Sequence, residues 1–141
     1  MPAFLPDDYL PDTGQRLDFY RRLAQARDED DVRATLAELE DRYGPLPDEA
    51  QLLGEVMIDK TLMRALGALG YELGPARLVV ALGSDNALDP AKVLRLVQAK
   101  GSRFKLTPDM RLSYGFDEGE KRDRMRAARD CLAKLRALVA P

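Results

Sequence analysis

With 141 residues, a formal net charge of -2, one cysteine and no histidine, the chain is the size of a single domain and excludes an intrachain disulfide and most routes to metal chemistry. No apolar run approaches the ~18 residues that a membrane span needs, and Met1-Pro2-Ala3-Phe4-Leu5 lacks the basic start of a signal peptide, so the expectation is a cytoplasmic chain. The small net charge conceals a polarity, because residues 1–70 hold 8 Lys+Arg against 15 Asp+Glu whereas residues 71–141 hold 14 against 9. Either the halves attract one another within the fold or they mark distinct binding surfaces.

Residues 1–12, with three prolines and three carboxylates around Phe4, Leu5, Tyr9 and Leu10, read as an extended arm lying on a surface, followed by a single domain over 13–141. Asp12 and Gln15 resemble a capping box, predicting a first helix from about Thr13 to Arg27 with Leu17, Tyr20, Leu23 and Ala24 as its apolar stripe. Asp28 caps a second helix, whose first turn carries Glu29, Asp30 and Asp31 and which ends at Tyr43. Gly44 can take the left-handed conformation that closes a helix, and Pro47 suits the first turn of a third. That third helix continues through Leu52, Leu53, Val56, Met57, Ile58, Leu62, Met63, Leu66 and Leu69, apolar around most of its circumference and so buried. Gly54 and Gly67 weaken it by ~1 kcal/mol each relative to Ala, unless they mark the close approach of a neighbouring backbone.

After Gly70 the pattern turns to short strands. Tyr71 to Leu73 and Arg77 to Leu82 flank Gly74-Pro75 as a hairpin. Asp89-Pro90 starts a helix with Val93, Leu94 and Val97 inward and Gly101 as its stop. A second hairpin runs from Arg103 to Leu106 through Thr107-Pro108-Asp109 into Met110 to Phe116, where strict alternation aims Met110, Leu112, Tyr114 and Phe116 at the core. A last helix from about Glu118 to Val139 turns Met125, Ala128, Leu132, Leu135 and Val139 inward, with Cys131 a small core residue. Three helices followed by ββαββα predict an α+β fold, with an antiparallel sheet of about four strands and helices on one side.

No Gly-rich phosphate loop precedes Lys-Ser or Lys-Thr, and the carboxylates of Asp28 to Asp31 crowd a helix start where capping explains them, so neither catalysis nor a cofactor is expected. Charge offers two surfaces. Glu38, Asp41 and Arg42 share one helical face just before the Tyr43, Gly44, Pro45 and Pro47 corner, either as a partner-binding group or as a solvated pair of Glu38 with Arg42. Arg103, Lys105, Lys121, Arg122 and Arg124, with Phe104 and Tyr114 nearby, form either a nucleic-acid contact or a salt-bridged helix face interleaved with Asp117, Glu118, Glu120, Asp123 and Asp130.

Three stretches stand in order along the first half: Leu5-Pro6-Asp7-Asp8-Tyr9-Leu10-Pro11-Asp12, then Arg16-Leu17-Asp18-Phe19-Tyr20-Arg21-Arg22-Leu23-Ala24, then Asp41-Arg42-Tyr43-Gly44-Pro45-Leu46-Pro47. Together they resemble the carboxy-terminal domain of bacterial transcription-repair coupling factors. The likeness spans almost the whole chain, although the part after Gly70 agrees mainly in its hairpin-helix-hairpin-helix pattern. The parents in that family are large ATP-driven DNA translocases that displace stalled RNA polymerase and recruit the excision-repair protein UvrA, and their motor motifs are absent here. The resemblance implies a non-catalytic regulatory domain that packs on a UvrB-like amino-terminal module of the same parent and masks its UvrA-binding surface. Within the matching stretches Leu17, Phe19, Tyr20 and Tyr43 read as core, and Gly44, Pro45 and Pro47 as turn. For Glu38, Asp41 and Arg42 the resemblance favours a docking group, its charge pairs exchangeable for another partner's, over a solvated pair of Glu38 with Arg42.

Overall fold

A computed structural model describes residues 2–141. Its elements in chain order are α1 (Thr13–Ala24), α2 (Glu29–Tyr43), α3 (Asp48–Leu66), β1 (Ala68–Leu73), β2 (Arg77–Leu82), α4 (Pro90–Gln98), β3 (Phe104–Leu106), β4 (Arg111–Gly115) and α5 (Arg124–Arg136), with a single 3-10 turn at Glu120–Arg122. The mixed α+β order is the expected one. The chain divides into two compact units, Met1–Thr61 and Leu62–Pro141.

In the first unit α1 and α2 begin on the side chains that the sequence nominates. Asp12 accepts a hydrogen bond from the Gln15 amide at 2.9 Å, and Asp28 accepts one from the Asp31 amide at 2.9 Å. These satisfy donors that a helix start leaves without an intrahelical partner. Helix α1 stops at Ala24, three residues before the expected Arg27, because the Gln25 and Ala26 amides turn back to the carbonyls of Arg21 and Leu23. Its apolar stripe is also rotated from the expected one. Phe19 and Leu23 are buried, whereas Leu17, expected in the core, is 57% exposed and Ala24 is exposed as well. Asp18 and Arg21, paired at 3.8 Å, hold the solvent side, so Leu17 shares a face with charges rather than with Phe19.

The residues before α1 are seated, not splayed. Leu5 and Leu10 are buried, the Leu5 amide donates to the Tyr20 hydroxyl at 2.7 Å, and the Phe4 amide donates to the Glu49 carbonyl at 3.2 Å. Helix α3 has few exposed positions, which matches its apolar circumference, but it ends at Leu66, and Leu69, expected on it, lies in β1 and is 79% exposed. Gly67 explains the stop. Its φ of 65° is left-handed, the Ala87 amide caps Leu66 at 2.8 Å, and a Cβ on Gly67 would lie 3.2 Å from the Asn86 backbone. Gly54 faces a side chain instead, with Leu36 Cδ1 only 2.5 Å from where a Cβ would sit.

In the second unit four antiparallel strands form one sheet in the order β1-β2-β4-β3, so the two expected hairpins join through β2 and β4. The register sorts the side chains into two faces, since directly paired residues point the same way. Leu78, Val80, Leu112, Tyr114, Phe104 and Tyr71 share the face that, with α5, builds the core. Leu132 and Leu135 on α5 are fully buried, and Cys131 lies among them. The other face presents Glu72, Val79, Ser113 and Lys105 in one cross-strand row and Gly70, Ala81 and Arg111 in the next.

Two sequence expectations fail here for local reasons. The last helix is not continuous from Glu118. Asp117 and Glu120 cap one another reciprocally, at 2.7 and 3.0 Å, and Asp123, accepting from the Arg126 amide, then caps a fresh start at Arg124, which leaves Met125 42% exposed on the first turn of α5. Leu94, expected inward, is 54% exposed because it lines an apolar groove of about 510 Å³ together with Leu82, Val93, Leu106 and Met110.

Candidate interaction surface

The corner between α2 and α3 is built from backbone chemistry. Gly44 has φ 90° and ψ -172°, a region open essentially to glycine alone, and its amide donates to the Glu40 carbonyl at 2.9 Å. The carbonyls freed at this helix end are taken up from outside the helix. The Tyr9 hydroxyl lies 2.8 Å from the Gly44 carbonyl and 3.2 Å from that of Leu39, so one phenol staples the last turn of α2 to the preceding segment. Burial, and after it the Glu40 carboxylate, push the Tyr9 pKa up. On the far side the Pro47 carbonyl accepts from the amides of Ala50 and Gln51, and the Gln51 side chain donates to the Leu46 carbonyl at 3.0 Å. Tyr43 is half-buried, with its ring edge-on to Tyr9 and Phe19 and its hydroxyl bonded to the Gln15 side chain.

The three charged residues just before the corner do not stand alike. Glu38 is half-buried and engaged within the unit. It pairs with Arg42 at 3.5 Å along α2 and with Arg22 across to α1. Its inner carboxylate oxygen is closed to solvent and has no hydrogen bond of good geometry, so the Arg22 charge is what compensates it. Both guanidinium groups stand over Phe19, at 4.9 Å for Arg22 and 6.0 Å for Arg42. Arg22, which sequence reasoning did not single out, therefore completes a cluster of two cations, one carboxylate and one ring. The signal for it was the cation three residues after Phe19 on α1, whose partner lies sixteen residues further on. Asp41, by contrast, is exposed and has no ion pair or side-chain hydrogen bond among the described residues. Arg42 keeps half of its side chain exposed. The surface available at the corner is Asp41 with the outer side of Arg42, held in place by Glu38 and Arg22.

The second set of residues named from the sequence is divided by the sheet. Lys105 lies in the register of β3 opposite Ser113, on the face away from Phe104 and Tyr114. Lys121 and Arg122 sit in the 3-10 turn that Glu120 ties to the Tyr114 hydroxyl at 2.9 Å, on the core side of the sheet, and Arg124 opens α5. Lys121 is already paired with Glu118 at 3.0 Å. Arg103 flanks β3, and its charge opposes the rise of the Tyr114 pKa, which burial and Glu120 push up to about 12. Neither Phe104 nor Tyr114 is free for a base to stack on. Phe104 is buried, and the two rings stand 4.7 Å apart.

Fold and surface together define a small α+β module that presents a charged, rigid helix corner. Among the described residues no group of His, Cys, Asp and Glu is placed to hold a metal ion, and no helix is long and apolar enough to cross a membrane. The TRCF domain model matches residues 1–93. The transcription-repair-coupling factor of Myxococcus xanthus is 51% identical over 112 residues, covering 79% of this chain and 9% of that protein, and that of Escherichia coli K12 is 32% identical over 135 residues, covering 96% and 12%. A crystal structure of the C-terminal domain of a transcription-repair coupling factor superposes with a TM-score of 0.64 at 16% identity, covering 97% of this chain and 90% of that one. The chain belongs to the TRCF domain family and has the fold of its C-terminal domain. It spans about a tenth of the length of those two relatives.

Proposed function

We infer that this domain is a regulatory, non-catalytic part of a transcription-coupled DNA repair factor, and that it packs through the α2–α3 corner on a UvrB-like amino-terminal module of the same parent. In that position it covers the surface on which UvrA would bind, so the domain is autoinhibitory. The observation that carries this reading is Asp41. It is an exposed carboxylate without a partner among the described residues, beside a half-exposed Arg42, on a helix end fixed by Tyr9, Gly44 and Pro47. A rigid pair of opposite charges suits a releasable contact, because such pairs set orientation and specificity and can be exchanged for those of a competing partner. The corner itself touches neither RNA polymerase nor DNA, which are reached from it through the parent, and no cofactor is needed at this surface.

The test uses the full-length parent. Replacing Glu38, Asp41 and Arg42 together with Ala is expected to raise UvrA affinity toward that of the parent lacking this domain, as read by calorimetry. Asp41→Ala alone separates docking from folding, since it leaves the Arg22–Glu38–Arg42 cluster in place. A triple variant that binds UvrA no better than the unchanged parent, while the deletion does, refutes the placement.

A further inference from the structure

The open face of the sheet has chemistry that the docking corner does not use. The register places Arg77 opposite Gly115, Ser113 between Val79 and Lys105, and Arg111 opposite Ala81, so three cations stand around a floor of small residues. Glu72, paired with Val79, is the one carboxylate in the strand rows of this face. Arg77 and Lys105 are exposed and make no ion pair among the described residues, and Arg111 has only an exposed contact with Asp109 at 3.4 Å. Ser113, at the centre, is half-buried, and its hydroxyl has no hydrogen bond among the described residues. The charge of the surrounding unit points the same way, since residues 62–141 hold 15 Lys+Arg against 9 Asp+Glu.

The make-up of the face selects the kind of partner. A protein interface wants an aromatic or long apolar anchor at its centre, and here the centre is Gly70, Ala81, Ser113 and Gly115 with Val79 alone contributing branched apolar surface. A single-stranded nucleic acid wants rings on which bases stack, and Tyr71, Phe104 and Tyr114 all belong to the core face. A phosphate backbone asks for neither. It needs cations spaced along a low surface and neutral donors between them. From strand spacing and rise, Lys105 and Arg111 root about 8 Å apart, and Arg77 about 12 Å from Lys105. We propose that the open face of the β1-β2-β4-β3 sheet binds the sugar-phosphate backbone of double-stranded DNA without reading its sequence, through Arg77, Lys105 and Arg111 with the Ser113 hydroxyl as a neutral donor. Lys121, Arg122 and Arg124 lie outside this contact.

The test is fluorescence anisotropy of the 141-residue chain with a short labelled DNA duplex. Three phosphate contacts give a log–log salt slope of about -2.7, so affinity falls roughly fortyfold between about 50 and about 200 mM salt. Arg77→Gln, Lys105→Gln and Arg111→Gln together are expected to lower the low-salt affinity by about tenfold or more, whereas Lys121→Gln, Arg122→Gln and Arg124→Gln together leave it within about twofold. If the first triple variant does not fold, as judged by circular dichroism, Lys105→Glu on the exposed edge strand carries the same comparison. Absence of duplex binding at low salt overturns the proposal, as does an equal loss in both triple variants. So does tighter binding of poly-glutamate than of the duplex, which would assign the face to an acidic protein segment. Asp41→Ala leaves duplex binding unchanged, so this outcome is independent of the docking corner.

Discussion

In Met1–Thr61 a buried set that includes Phe19, Leu23, Val32, Leu39 and Ile58 is joined by long-range polar contacts at the ends of elements, Tyr9 on the last turn of α2 and Tyr20 on the Leu5 amide. In Leu62–Pro141 Leu78, Val80, Leu112, Leu132 and Leu135 bury their side chains between one sheet face and α5. Polar contacts are directional and fix an angle, while apolar burial is roughly proportional to area and indifferent to direction. The unit whose surface carries Asp41 and Arg42 is thus the one whose joints are pinned. The other is the one whose sheet keeps an open face over a core that needs nothing from it.

That contrast can be broken at either end. The largest effect is expected in the second unit. Leu132→Ala empties a fully buried position on α5 and is expected to cost about 2–5 kcal/mol. Cys131 reports it, because the side chain is buried and that burial pushes its thiol up to about 12, so slow reaction with thiol reagents is expected of the native chain. Labelling of Cys131 in the variant is expected to begin at lower urea concentration than in the unchanged chain.

Gly44→Ala comes next. No atom crowds the position, so the cost is conformational, ~1–3 kcal/mol for an L side chain forced to φ 90°. Thermal unfolding followed by helix circular dichroism measures it, and a variant as stable as the parent would mean that the corner can be rebuilt with another geometry. The smallest effect is that of Tyr9→Phe, which removes the hydroxyl from the Leu39 and Gly44 carbonyls while keeping the ring against Tyr43, and is expected to cost about 1 kcal/mol. Amide exchange sharpens the comparison. In this variant the Gly44 amide is expected to lose protection while those of Val80 and Leu112 keep theirs.

Some of the structure was legible from local rules. Helix starts at Asp12, Asp28 and Asp89 are written in a carboxylate two or three residues before the amide it accepts from. The strand from Met110 to Phe116 appears because alternation reports burial directly, and the first hairpin because Gly74-Pro75 separates two short apolar runs. The failures share a cause. Leu17, Leu69, Leu94 and Met125 are apolar residues at plausible inward positions, but which of several apolar faces turns inward depends on the neighbour that arrives to cover it. Glu38 shows the same limit at the site. Its spacing to Arg42 was visible, whereas its pairing with Arg22 joins two helices and has no periodicity to reveal it.

The sequence by itself therefore determined the element order, the caps at Asp12, Asp28 and Asp89, the α2–α3 corner and the family, since each depends on residues close together in the chain or on short stretches in fixed order. Only the tertiary structure decided that Glu38 is engaged while Asp41 is available, and that Lys105 faces away from Lys121, Arg122 and Arg124. It also set the β2–β4 pairing that brings Arg77 and Arg111 onto one face. These depend on contacts between segments distant in the chain, which no local pattern encodes.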